Sequence, residues 1–329
     1  MLRVLITIDT ETFPISPHWK EDGLSADMRR DLYGEVEGHS VGLGYQLETL
    51  SRHGLKASFM LESLFSAVPE VGPGPLRDAV RAITAGGHDI QLHPHPEWLS
   101  FIPNFEVPFR SHLLRAYSAA EQEAIIRLAR TLLDRAGAPS PVAFRAGGFA
   151  ANADTLAALR RCGIPYDSSF NRCYLFDESQ FPSPRFYGHV TEYDGVFELP
   201  VTAFRDCGPH FRSAQLCACS SAEMRHALES AESLGWDFVV VVSHSFEMVA
   251  RRRHPTKPPR IRWEVVERFE RLCEFLGNNR ERFPTVTFSG FGRHNGLLSP
   301  NGSAAHIRGK IVNTAQRMFQ QAKSRIQAI

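Results

Sequence analysis

Read as runs of apolar and polar positions, the chain repeats one unit: a short apolar run, a glycine- or proline-rich break, then a stretch with helical spacing. Residues 2–8 are apolar at nearly every position, as in a strand buried on both faces. From Ser40 to His53, the positions Val41, Leu43, Tyr45, Leu47 and Leu50 predict a helix ending at Gly54. A second strand is expected at Leu55–Leu61, a helix at Leu76–Ala85 and a third strand at His88–Leu92. The Ala119–Ala136 helix stops at Gly137 before Pro139, and a strand at Val142–Arg145 follows. Asn152 can cap a helix that runs to Cys162. Ile164–Ser169 is a short extended piece, Val196–Val201 the next strand, and Ser220 or Ser221 caps a helix reaching Leu234. Phe238–Ser243 is the clearest buried strand; a helix at Trp263–Leu276 and a last strand at Thr285–Phe288 complete the series. Residues 14–38 read as an insertion loop, and 98–115, with Phe101, Phe105 and Phe109, as a flap or loop over the site. Strands alternating with helices imply parallel βαβ units, hence an α/β barrel of about seven strands.

The chemistry sits at the strand ends. Asp9 and Glu11, His93 and His95, Arg145, and His244 each follow the C-terminal end of an expected strand. In a parallel barrel that edge is where reactive groups collect. His93 and His95 each precede a proline, which pushes them toward extended conformations and lets both face one point, as metal ligands would. Glu97, four residues after His93, is the other candidate partner, but Pro94 and Pro96 oppose the helix that spacing needs. Arg145 before a glycine pair suits an ion pair with a strand-end acid, and Ser243 and Ser245 around His244 suggest a polar mouth. His88 is read as a scaffold hydrogen-bonder. Asp167 with Ser168 either lines a pocket or forms a turn. Cys207, His210, Cys217 and Cys219 match no standard zinc knuckle and are read as free thiols.

Composition narrows the setting. The 329 residues are 43% hydrophobic and 22% charged, ordinary for a globular core, and the net charge of +1 gives no pull toward nucleic acid. The first residues read as a strand rather than a signal peptide, no apolar run approaches a membrane span, and six cysteines fit a reducing cytoplasm. Residues 297–329 are set apart from a barrel at 1–296. There Ile307, Ile311, Ala315, Met318, Ala322 and Ile326 follow helical spacing, among Arg308, Lys310, Arg317, Lys323 and Arg325 with no acid nearby. Such a basic amphipathic helix either lies on the inner face of an anionic membrane or docks on the barrel or a partner.

Residues 4–9 with Glu11, Gly87–His95, Phe144–Arg145, Asp167–Ser168, Glu198–Leu199–Pro200 and Val242–Ser243–His244, in that order, resemble the polysaccharide deacetylase (NodB-homology, carbohydrate esterase family four) family. The resemblance spans roughly residues 2 to 292. It implies a distorted seven-stranded (β/α) barrel and a divalent metal, usually zinc, held by one carboxylate and two histidines. By position, Asp9 matches the catalytic base, Glu11 the metal-binding acid and His93 the first metal histidine. Arg145 matches the arginine that pairs with the base, and His244 the general acid. Gly148 falls where the family often has a residue whose backbone N–H stabilises the oxyanion. Asp167, Ser168 and Trp98 are assigned to the substrate side. The sequence departs from the pattern in carrying Asp-Thr-Glu, where many members have adjacent aspartates, and Arg-Ala-Gly-Gly, where the arginine motif is otherwise proline-rich. The family's second metal histidine usually lies four residues after the first. That position here is Glu97, so His95 takes the role by inference. The implied activity is removal of an N-acetyl group from an amino sugar of a polysaccharide, oligosaccharide or lipid-linked saccharide. A related amide hydrolysis, such as deformylation, and a catalytically silent carbohydrate-binding barrel stay open.

Overall fold

The computed structural model describes residues 2–174, 180, 187–208, 210–250, 258–291 and 306–326, with side chains of the last stretch as far as 320. The basic run Arg251–His254 lies outside the described residues, as do the side chains of Ala322, Lys323, Arg325 and Ile326. Eight strands form one sheet: β1 (Arg3–Thr10), β2 (Ser58–Leu61), β3 (Asp89–Leu92), β4 (Ala143–Phe144), β5 (Tyr166–Asp167), β6 (Thr191–Tyr193), β7 (Val196–Glu198) and β8 (Phe238–His244). Their order is β8-β1-β2-β3-β4-β5-β7-β6. Seven are parallel, and β6 is antiparallel to β7 at one edge. The chain after β7 ties this side of the sheet back to β8. Thr202 N–H donates to Val240 O at 3.2 Å and Leu216 N–H to Val242 O at 2.9 Å. The result is a distorted α/β barrel.

The α-helices among the described residues are α1 (Ser25–Asp31), α2 (Leu43–Arg52), α3 (Gly74–Ala85), α4 (Ala119–Arg135), α5 (Ala153–Cys162), α6 (Ser221–Ser233), α7 (Trp263–Asn278), α8 (Phe288–Phe291) and α9 (Ile311–Ile326). Ser118, Asn152 and Ser220 close capping boxes on α4, α5 and α6, each cap contributing about 1 kcal/mol. Two expectations change. The stretch 14–38 carries α1, and Thr285 makes a single bridge to Val4 before the chain turns into α8 instead of continuing as a strand.

Alternation along the strands sorts two cores. Val4, Ile6 and Ile8 of β1 and Val239 and Val241 of β8 join the large core beneath the helices. Leu5, Phe238, Val240 and Val242 point the other way, into the barrel, where Met60, Tyr166, Phe288 and Phe291 join them. Thr7, Asp9 and His244 continue that inward line, so the barrel is apolar toward its N-terminal end and polar at its C-terminal rim. The short helix α8 supplies two of the phenylalanines in this inner cluster.

Helix α9 lies across α6. Among its described side chains Thr314 and Arg317 are buried; Arg317 pairs with Glu223 at 3.0 Å, and Gln320 accepts from Arg268 at 3.2 Å. Ile311, Val312, Met318 and Phe319 face outward. Ile307, ahead of the helix, is buried, so the apolar row expected from 307 onward divides between body and surface.

Candidate active site

Parallel pairing of β1 with β8 sets Asp9 directly beside His244. Arg145, just past β4, is completely buried and reaches across to Asp9. Its NH1 donates to Asp9 Oδ1 at 2.5 Å and to Thr7 Oγ1 at 3.0 Å, while Nε and NH2 donate to the Ser168 carbonyl and hydroxyl at 3.0 and 3.1 Å. The guanidinium is thus locked by four acceptors, and Asp9 Oδ2 is left facing the cavity. His244 Nε2 lies 3.6 Å from that oxygen, and His93 Nε2 lies 3.8 Å from it.

Glu11, His93 and His95 form the group of potential metal ligands among the described residues, with ligand atoms all within 4.8 Å of one another. His93 Nδ1 meets the Arg145 carbonyl at 2.9 Å; a carbonyl only accepts, so Nδ1 carries the proton and Nε2 turns its lone pair inward. The two Nε2 atoms sit 3.3 Å apart, and Glu11 Oε2 lies 3.1 Å from His93 Nε2 and against His95 Nε2. Three buried electron-pair donors this close need a shared cation or a proton. Burial alone would raise the Glu11 pKa, but His95 and His93 hold it well below the usual carboxylate value. Burial likewise opposes a charged His95, yet Glu11 lifts it well above the usual imidazole value. One carboxylate and two imidazoles suit zinc, which takes three protein ligands and keeps an open position in catalytic sites. Glu97 sits on the far side of the His95 ring, 3.5 Å from Nδ1, away from this point.

Gly147 is required by that arrangement, because a Cβ there would fall 2.7 Å from the His95 ring. The next two residues, Gly148 and Phe149, both have φ of 59°, a conformation that a phenylalanine adopts rarely. With Asp9, Glu11, His93, His95 and His244, they line a cavity of about 790 Å³ whose other walls include Tyr174, Gln215, Phe246 and Arg262.

Asp167, Ser168 and Trp98 are not brought to this cavity. Trp98 is fully buried, its ring edge-on to Trp19, Phe65 and Phe101, because the turn after Pro96 folds back into the large core. Ser168 stands behind Arg145, and its hydroxyl also donates to Leu199 O at 2.8 Å. Asp167 is buried beside Glu198; burial pushes Asp167 up to about 6 and, with the Asp167 charge, raises Glu198 well above its ordinary value. His88 accepts the Ala57 N–H at 3.3 Å, and burial pushes its pKa down to about 4, as suits a neutral scaffold group.

Two acids at the rim were not read from the sequence. Glu247 holds His244 Nδ1 at 2.9 Å and accepts from Gln215 at 2.6 Å. Burial opposes charge on His244, but the Glu247 hydrogen bond, with Glu247, Asp9 and Glu11 nearby, lifts its pKa to about 9. Glu247 itself is kept below the ordinary range by His244 against the effect of its burial. Only the turn after β8, where Glu247 N–H donates back to His244 O, makes this i,i+3 pair. Glu62, the first residue past β2, accepts the backbone N–H groups of Leu64 and His95; burial pushes it up to about 8. Its signal is its place one residue past Leu61, which pairs with Thr10 and Leu92, so that it lies level with Glu11 and His93.

No family model matches the sequence. No curated protein matches it either. Among solved structures, the chain is similar to a Mycobacterium smegmatis protein assigned as a polysaccharide deacetylase, with a TM-score of 0.54 and 18% identity over 92% of this chain and 94% of that one. It is also similar to the 4-α-glucanotransferase of Thermococcus litoralis, with a TM-score of 0.52 and 11% identity over 92% of this chain and 41% of that one. A family 4 carbohydrate esterase from Streptomyces lividans covers 91% of this chain and 98% of its own at 12% identity, with a TM-score of 0.41. At these identities the likeness is one of fold, which this chain shares with the Mycobacterium smegmatis protein and with the glucanotransferase.

Proposed function

We propose that this chain is a metal-dependent hydrolase that removes the N-acetyl group from an amino sugar of a polysaccharide or glycolipid precursor. The observation that carries the reading is the position of Asp9: one oxygen is bound by Arg145, and the other faces both the Glu11–His93–His95 cluster and His244. The fold likeness to a polysaccharide deacetylase supports the substrate class. When bound by Glu11, His93 and His95, a divalent cation, most simply zinc, polarises the acyl carbonyl and makes an attacking water more acidic.

Asp9 is the general base. Arg145 occupies Oδ1 and offsets its charge, so the water's proton goes to Oδ2. His244 is the general acid: Glu247 on Nδ1 favours the imidazolium and turns Nε2 toward the cavity, where it delivers a proton to the departing amine. The backbone N–H of Gly148 is suited to the developing oxyanion, whereas that of Phe149 donates to Ala146 O at 2.9 Å. Phe149, Tyr174 and Phe246 are better placed than Trp98 to stack on a sugar ring, and Ser168 acts by holding Arg145.

Among the described residues no helix is long and apolar enough to cross a membrane. The outward Ile311, Val312, Met318 and Phe319, in a tail whose charges are all basic, favour contact with an anionic bilayer and a lipid-linked substrate. Flotation with anionic vesicles, lost on deleting residues 303–329, tests that point.

The main test is acetate release from N-acetylated oligosaccharides by zinc-loaded protein. Turnover that disappears in Asp9→Asn supports the reading. Formate release from an N-formyl sugar without acetate release would move the function to a related amide hydrolysis. Stoichiometric zinc with no acyl release from any of these substrates would overturn it.

A further inference from the structure

One wall of the catalytic cavity carries charge that the proposed chemistry does not use. After β8 the chain forms a small hairpin pairing Val249–Ala250 with Arg260–Ile261, and Val249, Ala250 and Arg262 line the cavity beside His244 and Glu247. From Met248 to Trp263 the sequence has Arg251, Arg252, Arg253, Lys257, Arg260 and Arg262 without one acid. Of these, Arg260 and Arg262 are in the described part.

Every other charge facing the cavity is answered there. Asp9 has Arg145, Glu11 has the two histidines, and His244 has Glu247. Arg262 is the remaining ionic group among the described lining residues. Its Nε donates to Glu264 at 3.3 Å, with both side chains 30% exposed, and its NH1 donates to the Glu247 carbonyl at 3.4 Å. Both bonds lie beyond the usual 2.7–3.2 Å range, so a better acceptor can displace them at small cost. Once either bond gives way, the guanidinium at this cavity wall can turn two N–H groups to a phosphate or carboxylate, which it binds with two parallel hydrogen bonds.

We propose that the saccharide taken by this cavity bears an anionic group, a phosphate or a carboxylate, that ion-pairs with Arg262. The proposal rests on reading the cavity as a deacylase site and adds the charge of the substrate. Arg262 is a binding and specificity residue, close to His244 through the Glu247 it shares.

The test compares kcat/KM for three acetamido sugars with zinc-loaded protein: a neutral methyl glycoside, the corresponding 1-phosphate and a carboxylate-bearing analogue. The expected result is a preference for at least one anionic substrate that falls roughly tenfold to a hundredfold in Arg262→Ala, mostly through KM, and is partly restored in Arg262→Lys. Raising the salt to about 0.5 M should compress the preference in the native protein. Which anionic substrate responds identifies the group. A second arm needs no turnover: calorimetric binding of inorganic pyrophosphate to zinc-loaded protein should weaken by a similar factor in Arg262→Ala and less in Arg262→Lys. Equal kcat/KM for neutral and anionic sugars, or pyrophosphate affinity indifferent to Arg262, would overturn the proposal. Absence of all acyl release with Arg262-dependent pyrophosphate binding would instead sink the deacetylase reading and leave the anion site standing.

Discussion

Glu247→Gln isolates the proton affinity of His244 without changing side-chain shape. The bond removed is a buried, charge-assisted contact of 2.9 Å between the imidazole and a carboxylate. Contacts of this kind are worth about 1.5–3 kcal/mol, which corresponds to about one to two pH units. His244 stands at about 9 with Glu247 in place. A cation on Glu11 cancels part of the field holding it there, so the limb of the loaded enzyme lies below that value, but the difference between native and variant survives. The general acid must be protonated, so kcat/KM falls as pH rises through the His244 pKa. The variant's basic limb should therefore move down by about one to two units, with little change on the acid side. Linkage gives a second reading in metal-free protein. His244 is raised above an unfolded value of about 6.5, so its stabilisation is complete below about pH 6.5 and disappears as pH rises through about 9. Denaturant titrations across that window should show the native protein losing more stability than Glu247→Gln. A pH–rate profile for the variant that superimposes on the native one would refute the role given to Glu247.

Other outcomes follow from the same geometry. His93→Ala should abolish stoichiometric zinc by elemental analysis, since it leaves two of three ligands. Arg145→Ala leaves Asp9 charged and buried without its partner, and chemical denaturation should register a loss of about 3–5 kcal/mol along with activity. Gly147→Ala should push the His95 ring aside and weaken zinc binding in a competitive chelator titration while secondary structure is kept. Glu198→Gln should raise the melting temperature more at about pH 8 than at about pH 5. A raised carboxylate favours the fold at low pH and loses that contribution as pH climbs through its folded value, so a neutral amide helps most where Glu198 would have to ionise.

How far the sequence could be read depended on which interactions were local. The strand ends were legible because apolar runs such as residues 2–8 and 238–242 satisfy a two-sided burial requirement that few other structures meet, and their polar termini stand out by contrast. Asp9, Glu11, His93, His95, Arg145 and His244 all surfaced that way. Helix α1 did not, because it is short: of the buried Leu24, Met28 and Leu32 only Met28 lies within its seven residues, and the rest of its buried face is polar, with Asp27 and Asp31 bound to Arg30 and Asp27 accepting the Ser16 N–H. The same limit explains Trp98, Asp167 and Ser168. Chain position put them near the rim, but whether a residue faces the cavity or the layer behind it depends on the turn that follows the strand. For Ser168 that turn leads inward to Arg145; for Trp98 it leads into a cluster of rings. Glu62 and Glu247 are the opposite case, since each lies at or just beyond a strand end with no second acid or histidine next to it in sequence. The partner each needs comes from folding: for Glu247 the His244 ring three residues back, and for Glu62 the backbone of His95 on the next strand's loop. A strand-end acid in such a barrel is therefore a candidate whether or not a neighbour in sequence supports it, and these two carboxylates hold His244 and the backbone of His95 in place.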